Sequence, residues 1–289
     1  MLGKRADGYH ELETVMQAID FHDDLEVTLQ PVPPLTFVRT GLPIDGPPEE
    51  DLCVRAARAF CRATDLPERI AIRLHKRIPP GSGLGGGSSD AAHVLLALND
   101  LFGRPLEGVA MQDLASHIGS DVSFFLTGGR ALCHGRGERI TALNDSPHLV
   151  FVLVTPPVHV PTSLIYSTLE LTHQIVPVNP LLLALEFGEV DTINRCAFNR
   201  LESVALGQNP SLRSIKSEVE AKTSVPFRVT GSGSAFYRVV RNLQEGTRLQ
   251  AIVGECVQGD VIVAEGVAGW ANGAGKGEAP WRSQKFESS

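Results

Sequence analysis

Apolar and polar positions alternate along residues 11–31, ELETVMQAIDFHDDLEVTLQP, and predict strands with a turn near His22-Asp23-Asp24. Residues 31–50 are rich in proline and acid and read as an irregular connection. From Asp51 to Thr64 the period changes: Asp51 is an N-cap, and Leu52, Ala56, Ala59, Phe60 and Ala63 share one helical face. Residues 69–78, RIAIRLHKRI, set Ile70, Ile72 and Leu74 against Arg69, Arg73 and His75, the pattern of a half-buried strand. A helix is predicted from Ser88 or Ser89 to Phe102. A second helix and a turn follow over residues 111–126, then a strand pair around Gly135-Arg136-Gly137. The chain breaks at residues 144–147. Beyond it lie an apolar β-forming run from Pro147, a strand exit and short helix over 159–171, and helices over 196–207 and 209–221. A hairpin over 226–240, a helix over 242–256 and a last strand over 260–267 complete the pattern.

These elements predict a mixed α/β chain of two domains, 1–147 and 148–268. Residues 269–289 have the composition of a disordered tail. No fixed-period repeat is visible. With 289 residues, 43% hydrophobic and 20% charged, the chain is long and apolar enough to bury a core. A net charge of −7 argues against a nucleic-acid or membrane-surface role, which calls for a basic face. The cysteines (Cys53, Cys61, Cys133, Cys196, Cys256) are odd in number and form no CxxC pair, which fits a reducing cytoplasm. No apolar run approaches a membrane span, and the N-terminus has no signal-peptide character.

The stretch PPGSGLGGGSSDAA, residues 79–92, is the chemical centre of the sequence. Five of the nine residues from 81 to 89 are glycine, placed between an alternating strand and a helix start. Glycine is unfavourable in regular structure by about 0.5–1 kcal/mol relative to alanine, so such a run calls for a close approach to the backbone. Successive amides in glycine-permitted conformations form a concave donor surface, and a helix N-terminus adds partial positive charge. Both favour an anion. Ser88 and Ser89 add hydroxyl donors, and Asp90 falls in the first helical turn. Gly81-Ser82-Gly83-Leu84-Gly85-Gly86 satisfies the dinucleotide-binding G-x-G-x-x-G. However, the strand before it is polar, and the acidic residue expected about 20 positions on is Asp100, inside a helical pattern. No Walker A string is present.

The loop resembles the phosphate loop of the superfamily of galactokinase, homoserine kinase, mevalonate kinase and phosphomevalonate kinase. Within it, KRADGYHELETVMQAIDFHD, DLCVRAARAF, HKRIPPGSGLGGGSSDAA, IGSDVSFFLTGGRALCHGRGE, HVPTSLIY and RVTGSGSAFY are similar, in order and spacing, to the 4-diphosphocytidyl-2-C-methyl-D-erythritol kinase family. The likeness covers roughly residues 3–268. It implies a domain like the second domain of ribosomal protein S5 followed by a ferredoxin-like one, with a cleft between them. It also implies ATP-dependent phosphorylation of the substrate's 2-hydroxyl, in the non-mevalonate route to isoprenoid precursors.

Residue by residue, the resemblance implies that Asp121 is catalytic, where the residues alone suggest an N-cap. ATP falls to Lys76, Pro80, Gly81, Ser82, Gly83, Leu84, Gly85, Gly86, Gly87, Ser88 and Ser89, and to Thr230, Gly231, Ser232 and Gly233 from the second domain. The alternative for Lys76 is a solvated strand lysine, and for residues 230–233 a tight hairpin. Tyr9, His10 and Tyr166 hold the cytosine, where the alternative is ordinary packing. Mg²⁺ is expected with ATP. The partners are these two small molecules, not nucleic acid or membrane, for a monomer or weak homodimer. The family carries a lysine that partners the aspartate, and an asparagine, on a strand before the position of Gly3. A start upstream of Met1 is the preferred explanation, and a nucleotide-binding module without turnover is the alternative. Asp51 stands where the family commonly has asparagine near the adenine.

Overall fold

The computed structural model describes residues 3–5, 8–144, 147–170 and 175–269. The first unit opens with β1 (Gly3–Lys4), β2 (His10–Gln17), β3 (Asp24–Leu29), β4 (Thr36–Gly41), α1 (Leu52–Thr64) and β5 (Ile70–Lys76). It continues with α2 (Gly86–Leu101), α3 (Gly108–Ile118), α4 (Val122–Thr127), β6 (Arg130–Gly135) and β7 (Arg139–Ala142). The second unit contains β8 (Val150–Thr155), α5 (Thr162–Thr168), α6 (Asn179–Phe187), α7 (Val190–Cys196), α8 (Glu202–Gln208) and α9 (Pro210–Thr223). It ends with β9 (Arg228–Val229), β10 (Phe236–Val240), α10 (Leu243–Gly254) and β11 (Asp260–Glu265).

Three sheets result, in the orders β1-β2-β6-β7, β3-β5-β4 and β11-β8-β10-β9. In the middle sheet β5 is central, antiparallel to β3 and parallel to β4. One face is covered by α1, α2 and α3, whose Phe60, Leu95, Leu98 and Ala115 pack with Ile70, Ile72 and Leu74. The other face carries Arg73 and His75 to solvent, as the alternation predicts. The same alternation sets Lys76 inward.

Asp51 caps α1 as predicted, accepting from the Cys53 amide at 3.0 Å. The buried stripe of α1 is rotated from the predicted one: Cys53, Ala56, Ala57, Phe60 and Cys61 are inside and Ala63 is exposed. The connection 31–50 is not wholly irregular. Residues 36–41 form β4, because TFVRTG alternates and finds a ready edge on β5. Helix α2 starts at Gly86, two residues before the predicted Ser88, since its first turn is built from glycines that propensity discounts. Helix α3 begins three residues before Met111, and the predicted helix over 196–207 divides between the end of α7 and α8.

Strand β8, VFVLVT, is buried along its whole length. Val150, Val152 and Val154 face α5, α8, α9 and α10, while Phe151 and Leu153 face α6 and α7. An unbroken apolar run is what a strand covered on both sides requires. Helix α6 and all but the last residue of α7 lie in residues 172–195, where the pattern assigns no element: PLLLALEF is apolar without a polar face to mark its period. After β11 the chain returns to the first unit, with bridges from Gly266 to Ile19 and from Gly269 to Gly128. The predicted tail beyond Gly269 lies outside the described residues. No helix among the described residues is long and apolar enough to cross a membrane.

Candidate active site

A large cleft between the two units is lined by Lys76, residues 80–89, Asp121, Tyr166 and residues 230–232. The glycine loop leaves β5 and enters α2 with Gly81, Gly83 and Gly85 at φ +69°, +74° and +73°. Every second residue is left-handed, so the loop coils tightly and presents its amides in succession. No side chain caps α2, so its first amides open on the cleft.

The loop is held from the second unit. Thr230 Oγ1 donates to the Gly83 carbonyl at 3.2 Å, and the Ala235 amide to that of Ser82 at 2.9 Å. A Cβ on Gly83 would stand 2.3 Å from the Thr230 carbonyl oxygen. Part of the glycine content therefore serves interlocking of the two loops. At Gly87 a Cβ would find only Leu52, at an ordinary 3.5 Å. No packing in the protein requires that glycine, and it stands in the first turn of α2, facing the cleft. Ser232 is buried and shares a 2.8 Å hydrogen bond with Thr162. Gly233 does not line the cleft; it turns inward against Val229, Leu212 and Ala205. Asn199 fixes this second loop by donating to the carbonyls of Val229 and Gly231 at 2.8 and 2.7 Å.

Asp121 precedes α4, and its side chain makes no capping bond, so the N-cap reading does not hold. Water reaches the carboxylate from the cleft, yet protein crowds it closely enough that burial raises its pKa above the usual carboxylate range. Its charge is felt by two neighbours. Burial first, and Asp121 second, push the Tyr166 hydroxyl and the Cys133 thiol each up to about 12. Tyr166 in turn lies 5.7 Å from His10, ring centre to ring centre, at a tilt of 43°. Tyr166 and Asp121 line the cleft, whereas His10 stands outside its lining and meets it only through the Tyr166 ring. Tyr9 stands outside the cleft lining and is half exposed, with the Arg136 guanidinium 4.9 Å above its ring. Arg136, in the β6–β7 turn beside Asp121, is a residue that pattern and motif passed over.

Lys76 is not a solvated lysine. It is 3% exposed, and its ammonium lies between Asp23 and, at 2.7 Å, Asp90. Burial opposes its charge, but the two carboxylates outweigh that and raise its pKa. Asp90 therefore faces an ion cluster rather than the solvent of a first helical turn, and Asp23 is a further residue the sequence marked only as a turn. Asp51, besides capping α1, accepts from Arg39 Nη1 at 2.8 Å, so β4 supplies the cation at this end of the cleft. Among the described residues no group of three or more histidine, cysteine, aspartate or glutamate side chains is assembled to hold a metal. Magnesium favours phosphate oxygens, water and one or two carboxylates, and an amide loop that shares its cleft with the Asp121 carboxylate fits an ion carried on a nucleotide.

Residues 51–129 match the model of the GHMP kinases N terminal domain. A 4-diphosphocytidyl-2-C-methyl-D-erythritol kinase of Geobacter sp. (strain M21) is 38% identical over 240 residues, 82% of this chain and 83% of that protein. One of Pelotomaculum thermopropionicum is 36% identical over 257 residues, 87% and 88% of the two chains. A crystal structure of 4-(cytidine 5'-diphospho)-2C-methyl-D-erythritol kinase superposes with a TM-score of 0.75 at 34% identity, covering 92% of this chain and 94% of that one. Homoserine kinase from Cytophaga hutchinsonii, at 18% identity and a TM-score of 0.71 over 88% and 89%, shares the fold. With relatives this similar over most of its length, the chain belongs to the 4-diphosphocytidyl-2-C-methyl-D-erythritol kinase family.

Proposed function

We propose that this protein transfers the terminal phosphoryl group of ATP to the 2-hydroxyl of 4-diphosphocytidyl-2-C-methyl-D-erythritol, and that the cleft between its units is where the transfer occurs. The carboxylate of Asp121 carries this reading. It has no cationic or hydrogen-bonding side-chain partner among the described residues, and it lines the same cleft as the amide loop and Tyr166. The loop amides and the N-terminus of α2 hold the phosphates. Thr230, Gly231 and Ser232 close over them from the second unit, while Gly233 shapes the turn from behind. Lys76 acts from beneath the loop, through its ion pairs. Tyr9, His10 and Tyr166 hold the cytosine, with ring faces for stacking and an imidazole edge for hydrogen bonding.

The acceptor hydroxyl is thereby aimed at the terminal phosphate, in line with its leaving oxygen, and transfer depends on positioning and charge neutralisation. Asp121 takes the hydroxyl proton as the new P–O bond forms. Its raised pKa makes it a stronger base than a solvated carboxylate, which suits that task. Magnesium carried in on the nucleotide would supply charge neutralisation at the phosphates that the loop amides hold. We assign the first unit, residues 1–147, to the S5 domain-2-like class and the second, 148–268, to the ferredoxin-like class.

The test is a coupled assay of ADP release. Release that requires the cytidyl-methylerythritol acceptor, with a phosphorylated product of the expected mass, is the expected result. ATP binding with no acceptor-dependent turnover would overturn it in favour of a binding module.

A further inference from the structure

Asp23, Lys76 and Asp90 form a buried cluster of two carboxylates and one ammonium beneath the glycine loop. The two acids are not equivalent. Asp23 accepts the Lys76 ammonium and the backbone amides of Arg77 (2.5 Å) and Ile78 (2.9 Å), three donors in all. Among the described residues the Asp90 carboxylate has only the shared ammonium as donor, at 2.7 Å, and it takes that ammonium in common with Asp23. Two carboxylates on one ammonium are relieved by a proton on one of them, and Asp90 has fewer donors to lose. The cluster also touches the loop: a Cβ on Gly86 would lie 3.4 Å from the Asp23 carboxylate and 2.9 Å from Ile78.

We propose that this triad couples nucleotide binding to proton uptake, with Asp90 the group that takes the proton. The proposal rests on loop 81–89 being the triphosphate cradle. With both acids ionised the triad holds one surplus negative charge in a buried place. A polyanion bound on the loop above makes that surplus less favourable. Protonating Asp90 leaves a neutral Lys76–Asp23 pair and keeps the backbone bonds that hold Arg77 and Ile78 at the loop entrance.

The surroundings agree. Burial first, and Asp23 after it, place the Asp90 carboxyl up to about 7 against the pull of Lys76. From α1, Asp51 and the Cys53 thiol face the same pocket, and Asp90 pushes that thiol's pKa up further. On α2 itself His93 is held by the Ser89 carbonyl at 2.8 Å, and burial and the nearby His22 lower its pKa, so it adds no positive charge near neutrality. Helix α4 has no ionisable side chain, and Asp113 and His117 of α3 are exposed. Arg77 is engaged with Asp24 at the surface. Because a bound anion raises the Asp90 pKa further, affinity is greatest below pH 7 and declines as pH rises through it.

The experiment is calorimetric titration with adenosine 5′-(γ-thio)triphosphate, whose terminal group is fully ionised at pH 7. It is run at pH 6.0 and 8.5, and at pH 7.5 in two buffers of different ionisation heat, on the wild type and Asp90→Asn. The expected result is net proton uptake by the wild type at pH 7.5 and a loss of affinity of at least about fivefold from pH 6.0 to 8.5, the low end of usual site–site coupling. Asp90→Asn takes up no proton and lacks that loss. Binding with the same pH profile and proton count in both proteins would overturn the triad's role and leave the loop as the cradle. No binding at either pH would overturn both. Should Asp90→Asn not fold, the wild-type proton count decides alone, zero uptake being the refuting value.

Discussion

Gly83 and Gly231 meet back to back: a Cβ on Gly231 would lie 2.9 Å from the Gly83 carbonyl oxygen, and both residues have positive φ, +53° and +74° for Gly231 and Gly83. The two glycine-rich loops come from different units, and this contact is where those units close on each other. Gly83→Ala therefore meets left-handed strain and a backbone clash together. The expected loss of stability is about 1–3 kcal/mol, with a rise in KM for ATP, read from denaturant unfolding and steady-state kinetics. Gly87→Ala has room for its methyl within the protein. It should keep its stability and raise KM for ATP alone. Equal nucleotide affinity in Gly87→Ala would mean that no ligand approaches there.

Asp121→Asn is expected to lower kcat at least about 10²-fold with little change in ATP affinity. The same substitution should raise Tm at pH 7. The reason is linkage: the folded-state pKa of Asp121 is raised by burial, so the folded protein holds more protons than the unfolded chain between the two values. Stability contributed by the protonated carboxyl is present at low pH and lost as pH rises through the folded pKa. A neutral amide escapes that loss. An unchanged kcat would remove Asp121 from the chemistry, and an unchanged Tm would mean its carboxylate is well solvated.

The proposed function sets the acceptor's cytosine against Tyr166 and His10, whose rings lie 5.7 Å apart. Tyr166→Ala is expected to raise KM for the cytidyl substrate roughly tenfold, an aromatic contact being worth about 0.5–1.5 kcal/mol. KM for ATP should hold within about twofold. Parallel rises in both constants would show that Tyr166 only maintains the cleft's shape. A second readout is available in the tyrosine itself: with Asp121→Asn the Tyr166 hydroxyl should ionise at lower pH, because one of the two causes of its shift is gone.

Arg130 is 2% exposed and ties β2 and β6 to the last residues of the first unit. It donates to Gln17 at 2.8 Å and to the carbonyls of Asn144 and Pro147 at 3.2 and 3.0 Å. Arg130→Met removes the charge and strands those acceptors. A loss of about 2–4 kcal/mol is expected by thermal or urea unfolding. A change below about 0.5 kcal/mol would show that water replaces the guanidinium.

Much of the molecule is written locally. The alternation in RIAIRLHK states which side of β5 is inside, and carried two residues past Leu74 it also places Lys76 on that side. The burial of Lys76 was thus legible in its register, although lysine's usual preference for solvent points the other way. The glycine spacing at 81, 83 and 85 foretells a tight coil feeding a helix, because a positive φ at alternate positions is something few other residues adopt. Strand β8 and helix α1 announce themselves by an unbroken apolar run and a capped amphipathic period. These features depend on neighbours a few residues apart, which a sequence displays directly.

Other features are properties of contacts between distant segments. Asp23 and Asp90 are 67 positions apart, and the sequence marks one only as a turn and the other only as a first-turn carboxylate until the fold brings both to Lys76. Arg136 reaches Tyr9 only because β6 pairs with β2. Strand β4 needed an edge of β5 to complete it, and α6 and α7 needed the outer face of β8. Local pattern determined the glycine loop, the central strands and their inward faces, since backbone freedom and hydrophobic periodicity are short-range. Which charges share a burial site, and which of the glycines serve packing, was decided by tertiary structure, because Coulomb interactions and steric exclusion act between whatever atoms the fold makes adjacent.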